Sequence, residues 1–256
     1  FISTSAVCVT GLAVVDIGKF YTPLGQGFIA LLSQIGGLGY MTATTFLLLF
    51  VRKRFSLREK ITLQQSLDLP GLRGSLQLVE SIIATTLIFE LTGVFALIPV
   101  FLQKYGWGES IWLAVFHSVS AFNNAGFSLF SNNLMDYVSS PALNLTITSL
   151  IIFGGIGYQV ILEGFLWLQA KIGRRSDRIH FTLNFKVAVS TTIILLLVGT
   201  IGILFTEFRT DTFAALSWPD KVLSAWFQSV TSRTAGFNTI DNGKMTATGL
   251  FLTISL

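Results

Sequence analysis

The sequence predicts an all-α membrane protein in which a unit of helix, short re-entrant segment and second helix recurs along the chain. Three observations carry that prediction: uncharged stretches long enough to cross a bilayer, two motifs that each appear twice, and a short apolar segment that ends in a polar turn. Apolar residues make up 52% of the 256 and charged residues 12%, with a mean hydropathy of +0.69. A soluble domain carries roughly 25% charge, so these few charges could not cover a soluble surface. No residue is charged between Lys19 and Arg52, or from Val187 to Thr206. At about 1.5 Å of rise per residue, a helix over the first stretch is longer than the ~30 Å hydrocarbon layer.

The remaining charge is clustered. Arg52 to Arg73 holds six basic residues against Glu59 and Asp68, and Lys171 to Lys186 holds five against Asp177. The segment between them, Lys104 to Asp136, has one basic residue and two acidic ones. The positive-inside rule places both basic loops on the cytoplasmic side, so an even number of crossings separates them. Two long apolar segments, about Leu76 to Gln103 and Leu143 to Ala170, supply those crossings. A third, Ile111 to Phe122, would reach only about 18 Å as a helix and cannot span. It runs into Asn123, Asn124, Ala125 and Gly126, then Ser128, Ser131, Asn132 and Asn133, too polar a run to face lipid. Non-helical backbone at membrane depth is tolerated only inside protein or beside water. The short helix therefore dips in and the polar turn climbs back, as a pore loop does.

That arrangement repeats. Phe116 to Phe127 (FHSVSAFNNAGF) matches Phe227 to Phe237 (FQSVTSRTAGF), with one residue fewer in the second copy, and Gly36-Gly37-Leu38-Gly39-Tyr40 matches Gly154-Gly155-Ile156-Gly157-Tyr158. The chain parses into residues 1–60, with a turn at Val9-Thr10-Gly11-Leu12 and a helix near Leu24 to Val51; 61–178, a complete unit; and 179–256. The last unit has a helix near Val187 to Phe205, a short helix Lys221 to Thr231, a turn at Thr234-Ala235-Gly236 and a second helix starting at Met245. Loops that surround a central ion usually come in fours, so the chain reads as a fragment, with an opening helix expected before Phe1 and a fourth unit after Leu256. No phosphate-cradling loop, metal-spaced His/Cys cluster or nucleophile motif occurs, which argues against an enzyme, a bound cofactor or a nucleic-acid partner. The single cysteine, Cys8, excludes an internal disulfide.

These motifs, in this order and over essentially the whole chain, resemble the ion-translocating subunits of the Ktr/Trk/HKT superfamily of potassium transporters, most closely the KtrB type. The resemblance implies four helix–pore loop–helix repeats around a pseudo-fourfold central pore, with one filter glycine each, here Gly11, Gly126 and Gly236. It implies that K⁺, the transported ion and not a cofactor, is held by backbone carbonyls of Val9, Thr10, Gly11, Asn124, Ala125, Gly126, Thr234, Ala235 and Gly236. Cys8 stands where the family more often has threonine. The resemblance further implies a homodimer of pore subunits in the plasma (cell inner) membrane, multi-pass in the lipid bilayer, with a cytoplasmic nucleotide-binding regulatory ring of the RCK type docked on the basic loops. It also implies a glycine-rich gate in the helix that begins at Met245.

Carbonyls can replace an ion's hydration shell, and glycine accepts the φ > 0 such turns need. Arg233, one residue before the third turn, is expected behind the filter as a support, bonded to carbonyls or a carboxylate. His117 is expected as a hydrogen-bonded support, the two glycine motifs as close-packing surfaces, and the five tryptophans as an interfacial belt. Glu90 and Glu163 lie within or beside apolar segments and keep a second function open: a proton- or sodium-coupled secondary cation transporter, with one of these carboxylates on the path. A non-transporting membrane subunit, with the loops as packing devices, is a third.

Overall fold

The computed structural model describes residues 1–39, 72–172, 181–214 and 216–256. The continuation of the helix expected to Val51, and residues 52–71 and 173–180 of the basic loops, lie outside the described residues. The described elements are helical: α1 (Ile2–Val7), α2 (Ile17–Phe20), α3 (Pro23–Gly37), α4 (Leu72–Phe101), α5 (Trp107–Phe122), α6 (Pro141–Ile156), α7 (Tyr158–Ile172), α8 (Leu183–Glu207), α9 (Asp211–Ala214), α10 (Trp218–Thr231) and α11 (Ala247–Ser255).

Ser81–Phe101 of α4 and all of α8 are long and apolar enough to cross a membrane. Their outward faces carry Leu87, Ile88, Leu91 and Phe95 on α4, and Ile193, Ile194, Leu197 and Phe205 on α8, all exposed. Contiguous apolar surface of this kind is a liability in water and the ordinary surface of a helix in lipid. The inward faces pack on α5 and α10, around buried Leu97, Phe101, Leu143, Ile147, Phe227 and Phe237.

Both short helices start earlier than their apolar runs indicated. The first begins at Trp107 where Ile111 was expected, and the other at Trp218 where Lys221 was expected. An apolar-run reading omits polar first turns, yet Glu109 and Asp220 suit a helix N-terminus electrostatically, and Pro219 suits a first helical turn. At 16 and 14 residues they reach about 24 and 21 Å, still short of the hydrocarbon layer.

The second crossing, expected as one segment from Leu143 to Ala170, is instead two helices. Helices α6 and α7 meet at a 105° bend, where Gly157 takes φ 92°. Helix α3 stops in the same way, with Gly39 at φ 81°. A positive φ ends the i→i−4 ladder, and glycine adopts it at little cost. The glycine motifs therefore terminate helices as well as packing closely. A Cβ at Gly36 would overlap the Val7 carbonyl oxygen, and one at Gly154 the Phe122 carbonyl oxygen. Each of these helices thus lies against the last residue of a short helix, which a side chain would prevent.

Two tryptophans expected in an interfacial belt have a different role. Trp112 Nε1 donates to Gln26 Oε1 on α3 at 2.7 Å, and Trp226 Nε1 donates to Thr148 Oγ1 on α6 at 3.2 Å. Both lie in the middle of a short helix and hook it to the helix that follows the preceding turn. An indole N–H buried in lipid or protein needs such an acceptor, and sequence position alone did not reveal which one it finds.

Candidate functional site

The three short helices α1, α5 and α10 each end in a turn that holds a sequence-predicted glycine. The first two turns share one backbone path. Thr10 N donates to Ser5 O at 2.9 Å and Ala125 N donates to Ser120 O at 2.8 Å, each reaching back five residues. Val9 and Asn124 take φ 53° and 56°, and Gly11 and Gly126 take 69° and 71°. Left-handed backbone costs an L-residue roughly 1–2 kcal/mol, more tolerable for asparagine than for β-branched valine. The third turn is one residue tighter. Ala235 N donates to Thr231 O at 3.0 Å, reaching back four residues, and Gly236 alone is left-handed, at φ 75°. This is the residue missing from the second copy of the motif.

The turns converge on one another. A Cβ on Gly11 would stand 2.7 Å from the Ala125 carbonyl oxygen, and one on Gly126 would overlap the Ala235 carbonyl oxygen. A Cβ on Gly236 would stand 3.7 Å from the Gly126 Cα. Gly11, Ala125, Gly126, Ala235 and Gly236 are thus brought to one place, with backbone facing backbone. The side chains of the other predicted residues turn outward from it. Val9 packs toward Gly36, and Thr10 Oγ1 lies 2.8 Å from Ser5 Oγ. Asn124, with its amide oriented to satisfy both ends, donates to Ile151 O and accepts from Gly155 N, each at 3.2 Å. Thr234 lines a cavity of about 270 Å³ with Arg233, Gly155 and Thr192.

Hydroxyls fix the ascending strand of two turns. Ser120 Oγ donates to Phe127 O at 2.8 Å, and Thr231 Oγ1 donates to Phe237 O at 2.7 Å. Behind them, Ser118 Oγ donates to Glu90 O at 2.7 Å and Ser229 Oγ to Leu196 O at 3.0 Å. A Cβ on Gly93 or Gly199, one turn further along α4 or α8, would overlap that serine oxygen. His117 is buried, with Nδ1 2.8 Å from Leu113 O and Nε2 3.0 Å from Ser128 Oγ. A ring nitrogen beside a carbonyl must donate, which leaves Nε2 to accept from the serine. It braces the loop beyond the second turn and does not face the converging glycines.

Beyond the turns, a vestibule of about 440 Å³ is lined by Gly11, Asp16, Gly126, Ser131, Asn133 and Asn238, among others. A hydrogen bond from Ser131, with further help from the Lys19 backbone N–H and ammonium, holds the Asp16 carboxyl below its ordinary pKa. The vestibule therefore holds an ionised carboxylate at neutral pH, with the Lys19 ammonium 3.8 Å from it.

Arg233 lies on the protein side of the third turn, half-buried, but its partner differs from the one expected. Nη2 donates to Thr192 Oγ1 on α8 at 3.3 Å, and no carbonyl or carboxylate bonds to it among the described residues. Thr192 was invisible as a partner because it lies 41 residues away, on a long apolar helix whose packing against the third turn the sequence does not show. Glu163 caps a helix: its carboxylate accepts from Thr182 N at 3.1 Å and Thr182 Oγ1 at 2.8 Å at the start of α8. Glu90 is buried and accepts from Asn123 Nδ2 at 3.0 Å. Asn123 was read only as part of a polar turn, and no sequence signal marks its partners, since Gln34 and Glu90 lie 89 and 33 residues away. Among the described residues no three His, Cys, Asp or Glu side chains are grouped to hold a metal ion.

The family model of cation transport proteins of the TrkH type matches residues 1–256. Over its full length the chain is 37% identical to the Ktr system potassium uptake protein B of Bacillus subtilis, covering 56% of that protein, and 38% identical to the Vibrio alginolyticus protein of the same name, covering 55%. It is 36% identical to the potassium/sodium uptake protein NtpJ of Enterococcus hirae, again over 100% of the chain and 55% of the relative. The chain thus spans about half the length of these relatives. The crystal structure of the potassium transporter TrkH from Vibrio parahaemolyticus superposes over 93% of the chain and 44% of its own, with a TM-score of 0.61 at 20% identity, a likeness of fold. The match across every residue, together with relatives above 30% identity, settles the family: this chain belongs to the TrkH family of cation transport proteins.

Proposed function

We propose that the chain forms most of the wall of a K⁺-selective pore in a potassium uptake system. The observation that carries this reading is the convergence of Gly11, Gly126 and Gly236, where the Ala125 and Ala235 carbonyl oxygens stand against the neighbouring turn's glycine. An ion there meets backbone oxygen and no acidic side chain. In this reading carbonyls of Val9 to Gly11, Asn124 to Gly126 and Thr234 to Gly236 replace its hydration shell. The short helices add the negative ends of their dipoles, which favour a cation. The names of the similar proteins, potassium uptake and potassium/sodium uptake, agree with this cargo.

The units 1–60, 61–178 and 179–256 then serve as three quadrants of a pseudo-fourfold pore, in a multi-pass protein of the plasma membrane. A homodimeric assembly and an RCK-type ring on the basic loops belong to the same proposal. Coupled transport is less well supported, since Glu163 caps a helix and Glu90 is bonded to Asn123, away from the converging backbones. The test is competitive uptake of K⁺ against Na⁺ by the full-length protein carrying Gly126→Ser or Gly236→Ser. Weakened discrimination is expected, and unchanged discrimination in both variants would sink the filter assignment.

A further inference from the structure

The second turn is held from behind by a polar cluster that, among the described residues, has no counterpart at the first or the third turn. Asn123, the residue that closes α5, is buried, and its side-chain amide is the hub. Nδ2 lies 2.8 Å from Gln34 Oε1 on α3, 2.9 Å from Val119 O on α5 and 3.0 Å from Glu90 Oε1 on α4. One NH₂ group thus faces three acceptors from three helices with two hydrogens. Gly37, one turn beyond Gln34 on α3, leaves the space this side chain fills, for a Cβ there would overlap Asn123 Oδ1. The same residue of α4 is held twice, since Ser118 Oγ bonds the Glu90 carbonyl. The next residue, Asn124, is left-handed at φ 56° and is followed by Ala125 and Gly126.

We propose that Glu90, through Asn123 and with Gln34, is a positioning residue for ion selectivity: it fixes the second filter turn and does not carry protons or Na⁺ along the path. This deepens the filter reading and rests on it. The physical argument is that strained backbone persists only where its surroundings over-determine it. Rotation of Asn123 would release α3, α4 and the α5 terminus at once. A buried acceptor left without a donor is costly, so the Glu90 carboxylate favours the arrangement in which Asn123 Nδ2 reaches it. Neither other turn can use the device. Cys8 occupies the corresponding place in the first turn and is exposed, and the third turn is one residue shorter.

The experiment is K⁺ uptake with Na⁺ as competitor in the full-length protein, comparing Glu90→Leu, Glu90→Gln, Asn123→Leu, Gln34→Leu and the Glu90→Leu/Asn123→Leu pair, with Gly126→Ser as control. Glu90→Leu and Asn123→Leu should each lower discrimination by roughly five- to tenfold, the scale of one lost buried hydrogen bond. Gln34→Leu should move it less in the same direction, and remains informative if the Glu90 variants do not reach the membrane. The paired variant should be little worse than either single one, because both break one brace. Glu90→Gln keeps a carbonyl oxygen to accept from Asn123 and should restore near-native discrimination. If Gly126→Ser loses selectivity while Glu90→Leu and Gln34→Leu keep it, the filter reading stands and the brace is overturned. If Glu90→Gln loses discrimination as fully as Glu90→Leu, the charge itself is needed and the positioning role is overturned. If Gly126→Ser also keeps selectivity, the filter and its brace fall together.

Discussion

The second and third turns follow equivalent helices and carry the same Ala-Gly-Phe, yet they are supported differently. Their hydroxyl pins and serine-to-helix bonds correspond one to one. Around the second turn, asparagine side chains spread to α3 and α4 on one side and to α6 on the other. Around the third, one residue is gone, the closing hydrogen bond reaches back four residues where the second turn's reaches back five, and among the described residues an Arg233–Thr192 contact lies behind it. The difference teaches that the backbone path is held by what recurs (glycine, hydroxyl, close-packed helix), while the stiffness of each turn is set by what does not recur.

The largest expected effect separates the two glycines. A Cβ at Gly126 meets the Ala235 carbonyl oxygen directly, whereas at Gly236 it meets only a Cα at 3.7 Å. Gly126→Ala should therefore lose more K⁺/Na⁺ discrimination than Gly236→Ala, for which the φ penalty of about 1 kcal/mol or more remains. Equal losses in competitive uptake would show that conformation alone, and not contact between turns, sets the filter.

Next in size is the packing behind the turns. Gly154→Ala places a methyl on the Phe122 carbonyl oxygen and should cost 1–3 kcal/mol or more in stability, the range for overpacking. Gly155→Ala, in the same helix with its nearest neighbour at 3.4 Å, meets only ordinary contact and should cost nothing comparable. Thermal melting of the purified protein distinguishes them, and the reverse order would break the assignment of Gly154 to close approach.

Smaller and equal effects are expected at the paired serines. Ser118→Ala and Ser229→Ala each remove one hydrogen bond to a carbonyl of the neighbouring long helix, about 1 kcal/mol, and should lower the melting temperature alike. A markedly larger loss at one of them would show that the correspondence of the two regions is geometric and not energetic.

The smallest effect concerns the vestibule. The Asp16 pKa lies below its ordinary value, so whatever the carboxylate contributes is present above that ordinary value, about 3.9, and lost only as pH falls through the lower folded one. Asp16→Asn should reduce the K⁺ uptake rate slightly at low ionic strength and not at high, with the same small deficit at pH 5 and pH 8. A deficit that grew at high salt would remove Asp16 from the electrostatics of the entrance.

The sequence alone determined the class and the order of long and short helices, but not the 105° break between α6 and α7. Uncharged runs specify spans because lipid offers no partner to a charge, and short apolar segments ending in Asn and Gly specify re-entrant turns because their backbone needs water or protein. Gly126 and Gly236 were legible from the motif match and Gly11 from the family resemblance, and the residue missing from one copy proves to be the one by which the third turn is tighter. Only the tertiary structure decided what stands behind each turn. Gln34, Glu90 and Asn123 are separated by up to 89 residues, and Arg233 finds Thr192 where a carbonyl or carboxylate was expected. Local pattern fixes periodicity and depth because those depend on neighbours in the chain. Hydrogen-bond partners depend on which helices pack together, and on which glycine leaves room for the side chain that must reach across.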